Sequence, residues 1–441
     1  MRKLVNIHKQ ILVLSLILFS FKNSLAQESK TFSTLNEVLE FSKTKNYSFD
    51  NAKLQTHLAE LAKKTALGNA FNPKVNTSIQ VLDNINLPIS YLPAEAFGGV
   101  SGTFKEVQIG QQYVSTFNIQ PQFDIINLSN FAQIKSAKIN EQLVENQNKI
   151  NEQNLYEKIN AVYFNIISFN GQKEVVEENI LIAENILKII SEKNKEGIAR
   201  KQEVNEAEVN LILLKDKLEQ LEMNTKIQYE ILNLFFENKI ESNLKQTIWD
   251  FKDQTIISAN QNNLQNQNSE LQAQLAQQEY KSLQYQNYPT LSLVSSFNWQ
   301  NLSNDNFFAS KSNWQNFNYV GLKLGWELPT IQRISNIKSK KIQLEILQKT
   351  NEHIKAETES KNEQLNLEYQ KSLQQFINFQ KVFDLKKDTY EKNFNQFKEG
   401  ILPLDKLLIS QNDMIISKLN IVSVLTNIGF SKSKIEINNT F

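Results

Sequence analysis

Polar and apolar positions along this chain follow two periods. One stretch, Ile331 to Glu399, is 69 residues without a Gly or Pro. Apolar residues recur in it at helical spacing: Ile331, Ile334 and Ile337, then Ile342, Leu344 and Ile346, then Leu365, Leu367 and Phe376. The spacing predicts one helix of about 100 Å at about 1.5 Å per residue. That is several times the usual helix length, so it needs a coiled coil, a repeat or a helical tunnel to sit in.

Taken in order, the pattern predicts a helix over about Asn36 to Ala70, stopped by Asn72-Pro73. A strand follows over Val75 to Leu82, with Val75, Thr77, Ile79 and Val81 on one face and Asn76, Ser78 and Gln80 on the other. Residues Asp83 to Gly110 hold six of the eighteen Gly and Pro, which predicts an irregular loop. A second strand runs from Gln112 to Phe123. The next long helix spans Asn127 to Glu196, interrupted only at Gly171; the chain turns at Gly197 and is helical again to about Phe236. A polar connector containing Trp249 leads to a Gln- and Asn-rich helix over about Ile257 to Asn287.

Tyr288-Pro289 stops that helix, and LSLVSSFNWQ alternates, with Leu291, Leu293, Phe297 and Trp299 opposite Ser292, Ser296, Asn298 and Gln300. A polar loop, about Asn301 to Asn316, precedes a fourth strand in which Val320, Leu322, Leu324 and Trp326 share a face. The long helix, Gly400 and a last helix over Leu404 to Ile437 complete the chain.

The order helix, strand, loop, strand, long helix, Gly turn, helix therefore occurs twice. Its landmarks are Pro73 with Pro289, Pro121 with Pro329, and Gly197 with Gly400, the last pair in the tetrapeptides Lys195-Glu196-Gly197-Ile198 and Lys398-Glu399-Gly400-Ile401. The implied division is a leader over 1–26, a first repeat over 27–240, a connector over 241–256 and a second repeat over 257–441. In each repeat the two shorter helices together match the long one in length. Stacked end to end, they would lie alongside it, with the hairpin at the end opposite the Gly turn.

Composition narrows the class. The first 26 residues carry Arg2, Lys3, Lys9 and Lys22 and no acid, followed by an apolar run from Ile11 to Phe21 and small residues at Ser24-Leu25-Ala26. This predicts a secretory signal cleaved before Gln27. The remaining 44 bases against 47 acids give −3, which argues against a nucleic-acid partner. Cysteine is absent, which removes disulfides, thiolate metal sites and a lipidated cysteine. His57 and His353 lie on helical segments beside ordinary neighbours, so neither catalysis nor a metal or cofactor is expected. No later segment reads as a membrane-spanning helix, so membrane insertion would be through strands.

Four strands cannot close a barrel, and an open sheet edge cannot face lipid. Two chains give eight strands and three give twelve. The alternation suits a lipid-facing exterior, with Ser292 on the wet side, and Phe297, Trp299, Tyr319 and Trp326 are available for interface belts.

At this point the chain resembles the TolC-type outer-membrane efflux proteins. The resemblance is carried by NPKVNTSIQV and YPTLSLVSSF, by the strand-to-helix passage QPQFDIINLSNFAQIKSAK, and by the turns KEGIARKQEVNEAEVNL and KEGILPLDKLLISQND. It implies a mainly α fold with a β-barrel portion: a homotrimer whose twelve-stranded barrel in the outer membrane continues as a long α-helical barrel in the periplasm. It also implies passive conduction of substrates handed on by an inner-membrane pump through a periplasmic adaptor. By the same resemblance Gly197, Ile198, Gly400 and Ile401 form the adaptor-docking turns, and Asp405 is the match for an acidic ring at the periplasmic entrance. The chain departs from that pattern at Leu408, where a second acid is expected, at Pro403 and Lys406, and at ELPTIQR, which lacks the Phe123-Asp124 of the first passage.

Two other classes compete. A periplasmic coiled-coil adaptor also has a helical hairpin but needs a long β-rich remainder. A structural coiled coil explains the helices but neither hairpin nor the repeat.

Overall fold

The computed structural model describes residues 29–236, 241–252, 257–260, 264–308 and 314–441. The expected leader, 1–26, lies outside them. The chain clusters into two compact units, one of Gln55–Glu145 and Gln267–Glu352, the other of Met1–Leu54, Asn146–Asn266 and His353–Phe441. Each draws on both halves of the sequence.

In chain order the described elements are β1 (Ser29–Phe32), α1 (Leu35–Lys45), α2 (Tyr47–Phe71), β2 (Lys74–Asp83), β3 (Ile89–Pro93), β4 (Phe104–Gln108), β5 (Tyr113–Ile126), α3 (Leu128–Lys195) and α4 (Lys201–Asn233). Then come β6 (Glu241–Leu244), α5 (Leu264–Tyr285), β7 (Thr290–Ser303), β8 (Trp314–Gly325), α6 (Ile331–Lys398) and α7 (Leu404–Thr440). Single 3-10 turns cover Ala94–Phe97 and Ile248–Lys252. Both long helices form as expected, each 68 residues, and Gly171 does not interrupt α3.

The first unit is built around an antiparallel sheet in the order β2-β5-β7-β8. The two hairpins predicted from alternation meet at β5 and β7, where Phe117 lies opposite Trp299 and Ile119 opposite Phe297. A bulge between Asp124 and Ile126 ends the regular pairing. The sheet is inside out by the standards of a protein in water. Ser292, Ser296 and Asn298 are 3%, 1% and 5% exposed, while Ile79, Val320, Leu322 and Leu324 are 73%, 70%, 67% and 72% exposed. Within the chain β2 and β8 are edge strands. The loop expected over Asp83 to Gly110 is instead a second hairpin, β3 with β4, that carries on the β2–β5 ladder through Asn84 N–H to Gln112 O at 2.8 Å. Its Gly98 and Gly102 take positive φ at the tip, so the Gly content marks the turn and not the whole segment.

In the second unit a hydrophobic core gathers Phe32, Val38, Ile159, Tyr163, Phe164, Ile166, Leu232, Leu425 and Ile428. The first expected helix is broken at Asn46, whose backbone is extended. Its side chain explains the break: Oδ1 accepts from Ser48 N at 2.9 Å and Nδ2 donates to Phe235 O at 3.2 Å, so one residue ends α1 and starts α2. The connector is itself structured: β6 pairs parallel with β1, and Ile248, 1% exposed, packs where Gly171 leaves room. A Cβ on Gly171 would lie 2.7 Å from Ile248 Cγ2. Residues 257–260 are not helical as expected. Their backbone is held by amide side chains, with Ala259 N–H donating to Asn366 Oδ1, Asn260 N–H to Asn439 Oδ1, and Asn438 Nδ2 to Asn260 O. Contrary to expectation, α7 contains a stretch long and apolar enough to cross a membrane, but 56% of that stretch is buried inside the protein. Leu407, Val422, Leu425 and Ile435 along it are fully buried, so its apolarity is that of a core helix.

Candidate functional site: the paired glycine turns

The two Gly turns have the same local geometry because they have the same local chemistry. Each helix ends in a residue with positive φ, 78° at Gly197 and 75° at Gly400. In the first, Gly197 N–H donates to Asn194 O at 3.0 Å and Ile198 N–H to Lys193 O at 2.8 Å. In the second, Gly400 N–H donates to Phe397 O at 3.1 Å and Ile401 N–H to Gln396 O at 2.9 Å. This is the Schellman arrangement, which satisfies the last carbonyls of a helix and reverses the chain. A Cβ at either glycine would meet nothing within 4 Å. The need for glycine is therefore torsional, not steric.

The next helices start differently. Arg200 N–H donates to Glu203 Oε2 at 2.7 Å, while α7 starts after Pro403, which presets the backbone of the turn. Pro403, a departure from the resemblance drawn from the sequence, is thus the starting cap of α7.

The structure brings the two turns together. One hydrophobic cluster takes Ile186, Ile190, Val204 and Ala207 from the first turn's helices and Tyr390, Phe397, Leu404, Leu407 and Met414 from the second's. Burial there pushes the Tyr390 phenol up to about 12. Lys193 crosses between the turns, with Nζ donating to Phe397 O at 2.8 Å and Lys398 O at 3.2 Å, and sits 4.8 Å from the centre of the Phe397 ring. A cation on the last carbonyls of α6 complements the negative end of that helix. Gln411, 1% exposed, takes Asn210 Nδ2 at 3.3 Å and donates to Asn179 O at 3.5 Å, tying α7 to both helices of the first turn.

Against this fixed base, Ile198 and Ile401 are 71% and 73% exposed. Asp405 is exposed between the buried Leu404 and Leu407, so the helix period turns it away from the cluster; Lys406 is exposed and Leu408 half-buried. All five residues singled out from the sequence fall in this one unit, and the turns are neighbours. Sequence reasoning missed Lys193, Gln411 and Asn179, whose partners lie some 200 to 230 positions away, beyond the reach of any local pattern.

No family model matches the sequence, and no curated protein matches it. Solved structures do. The outer membrane channel CmeC of Campylobacter jejuni aligns over 92% of this chain and 85% of its own, with a TM-score of 0.73 and 13% identity. The outer membrane protein VceC of Vibrio cholerae aligns over 92% and 96%, with a TM-score of 0.67 and 13% identity. The open state of the MtrE outer membrane channel of Neisseria gonorrhoeae aligns over 92% and 88%, with a TM-score of 0.68 and 12% identity. Likeness over nearly the full length of both partners, at so low an identity, is a likeness of architecture: the chain has the fold of the TolC-type outer-membrane channels.

Proposed function

We propose that this protein is an outer-membrane channel, a homotrimer that passively conducts substrates delivered by an inner-membrane pump through a periplasmic adaptor. The observation that carries the reading is the reversed sheet, apolar outward and polar inward, with an edge strand on either side. Such a sheet is stable in lipid only when further copies pair its edges into a closed barrel. Three chains close twelve strands, within the range of bacterial outer-membrane barrels. Helical periplasmic continuation, two sequence repeats over 27–240 and 257–441, and export by the leader complete the proposal. Purification from the outer-membrane fraction should give a detergent complex with the protein mass of three chains, heat-modifiable on gels and conducting in planar bilayers. A monomer in the soluble periplasm would sink the reading.

The glycine turns are the docking points for the adaptor in this reading. Two exposed isoleucines sit beside turn backbone that carries no bulk, on a base fixed by the shared cluster and by Lys193. Replacing Gly197 or Gly400 with Leu forces a side chain into the left-handed region at about 1–2 kcal/mol. The expected result is intact trimer with reduced export for each single variant and no export for the double. Ile401→Cys should crosslink to the adaptor. Normal export by the double variant, with no crosslink, reduces the turns to plain helix ends.

A further inference from the structure

The four sheet strands contain only four charged side chains: Lys74, Asp83, Asp124 and Lys323. Alternation places Asp83 on the apolar face, where its carboxylate accepts from Gln112 Nε2 at 3.1 Å. The other three lie on the polar face and in one band. Asp124 is opposite Ser292, Ser292 is opposite Lys323, and Lys74 is opposite Gln122, two residues from Asp124. The polar face beyond this band carries no charge: amides and hydroxyls at Asn76, Gln80, Asn118, Ser296, Asn298 and Gln300, with Val294, Phe317 and Tyr319 among them, so Tyr319 is not on the apolar face where an interface belt was expected.

Within the band the charges do not cancel. Asp124 is consumed locally: it accepts from Ser292 Oγ at 2.8 Å, Gln122 Nε2 at 3.2 Å and Asn127 Nδ2 at 3.3 Å, and Lys74 Nζ lies 3.7 Å away. Nearby, Arg333 is consumed as well, by an ion pair to Glu327 and by the carbonyls of Gln286 and Glu327. Within one chain Lys323 alone is left over: it is exposed, and among the described residues its amino group has neither hydrogen bond nor ion pair, while its backbone stays in the β7–β8 ladder. It lines a cavity of about 410 Å³ with Gln122, Ser292, Tyr288, Trp326 and the Arg333–Glu327 ion pair, whose charges offset each other. Trp326, expected on the apolar face with Leu322 and Leu324, lies past the end of β8 and lines this cavity instead; Tyr288 and Trp326 are 54% and 64% exposed, and the indole Nε1 is fixed by donating to Asn287 O at 2.9 Å.

We propose that Lys323 makes this band a positively charged ring that favours anions, and that the cavity beside it takes small aromatic carboxylates, the carboxylate on Lys323 and the ring against Trp326 and Tyr288. The proposal rests on the channel reading above, in which the polar face lines the conduit and three chains contribute. A ring of one lysine per chain, in a wall otherwise without net charge, sets the sign of the local potential. At 0.1 M salt that potential reaches about 10 Å, far enough to act on ions passing near the wall.

The experiment is ion selectivity in planar bilayers under a KCl gradient, with purified trimer of the natural sequence and of the variants Lys323→Gln, Lys323→Glu and Lys323→Arg. All keep Asp405, so any contribution of the entrance acid is common to them. The chloride-to-potassium permeability ratio is expected to fall about threefold in the Gln variant and further in the Glu variant, and to hold in the Arg variant. Added 1-naphthoate is expected to reduce conductance of the natural and Arg proteins and to leave the Gln protein unaffected. A conducting channel whose ratio and naphthoate response do not change on Lys323→Gln and Lys323→Glu overturns the anion ring and leaves the channel reading standing. A purified trimer that never conducts overturns the channel reading itself.

Discussion

Leucine in place of Gly429 should leave almost no assembled protein. Gly429 lies in the middle of α7, where glycine costs roughly 0.5–1 kcal/mol relative to alanine, so something must require it. A Cβ there would lie 2.3 Å from Phe164 Cε1, 2.8 Å from Phe251 Cδ1 and 2.9 Å from Phe164 Cζ. Phe164 cannot yield, being 2% exposed and packed on the rings of Tyr163, Phe251 and Phe430. Overpacking of this kind costs about 1–3 kcal/mol for a small excess, and leucine adds four carbons, so about 3 kcal/mol or more is expected. Alanine should be intermediate. Gly321 is the control: nothing lies within 4 Å of its Cβ position, and Gly321→Ala should assemble normally. The measurement is the heat-resistant fraction in the outer membrane together with the midpoint of thermal unfolding. Equal midpoints for Gly429→Leu and Gly321→Ala would show that α7 does not pack as described.

Arginine on the apolar face of the sheet should be nearly as damaging, for a different reason. Leu293 and Leu322 are directly opposite one another in β7 and β8 and are 42% and 67% exposed. If lipid covers that face, an arginine at mid-membrane costs about 2–4 kcal/mol per chain, and three chains multiply it. Trimer yield should collapse for Leu293→Arg and Leu322→Arg. The polar-face comparator is Gln120→Arg, since Gln120 is exposed and opposite Asn76. Ser292 does not serve, although alternation puts it on the wet side. It is 3% exposed and holds Asp124, so arginine there breaks a hydrogen-bonded cluster instead of entering open space. Equal yield from the Leu322 and Gln120 variants would mean the faces are assigned the wrong way round.

These contrasts show what the sequence carried. Period and punctuation are local, so both long helices, the four sheet strands and the two turns could be read directly: Gly197 and Gly400 each end a long helical run. The exposure of Ile198, Ile401 and Asp405 follows from the same local geometry. Features that depend on a distant partner could not be read. Asn46 breaks its helix because Phe235 O is there to receive its amide. Residues 257–260 stay out of the helix because three asparagines hold their backbone. The β3–β4 hairpin was hidden by the glycines of its own tip. The apolar stretch of α7 and the glycines at 171 and 429 make sense only with the neighbours in view. Lys193 reads as an ordinary helix-end cation until Phe397 and Lys398 are placed beside it.

The parallel pair β1–β6 has a consequence for how the chain reaches this state. Ser29 pairs with Glu241 and Phe32 with Leu244, a separation of 212 positions (241 − 29). A chain that emerges amino end first presents β1 almost at once and its partner only after nearly half the protein has followed. Phe32 has no exposure in the finished core, so throughout that interval a bulky apolar side chain lacks its final surroundings. Closing so large a loop is slow and entropically costly, and it must precede any gain from the contact. The unit that holds both turns is thus completed only once β6 is available, and until then its leading segment stays without its partner strand.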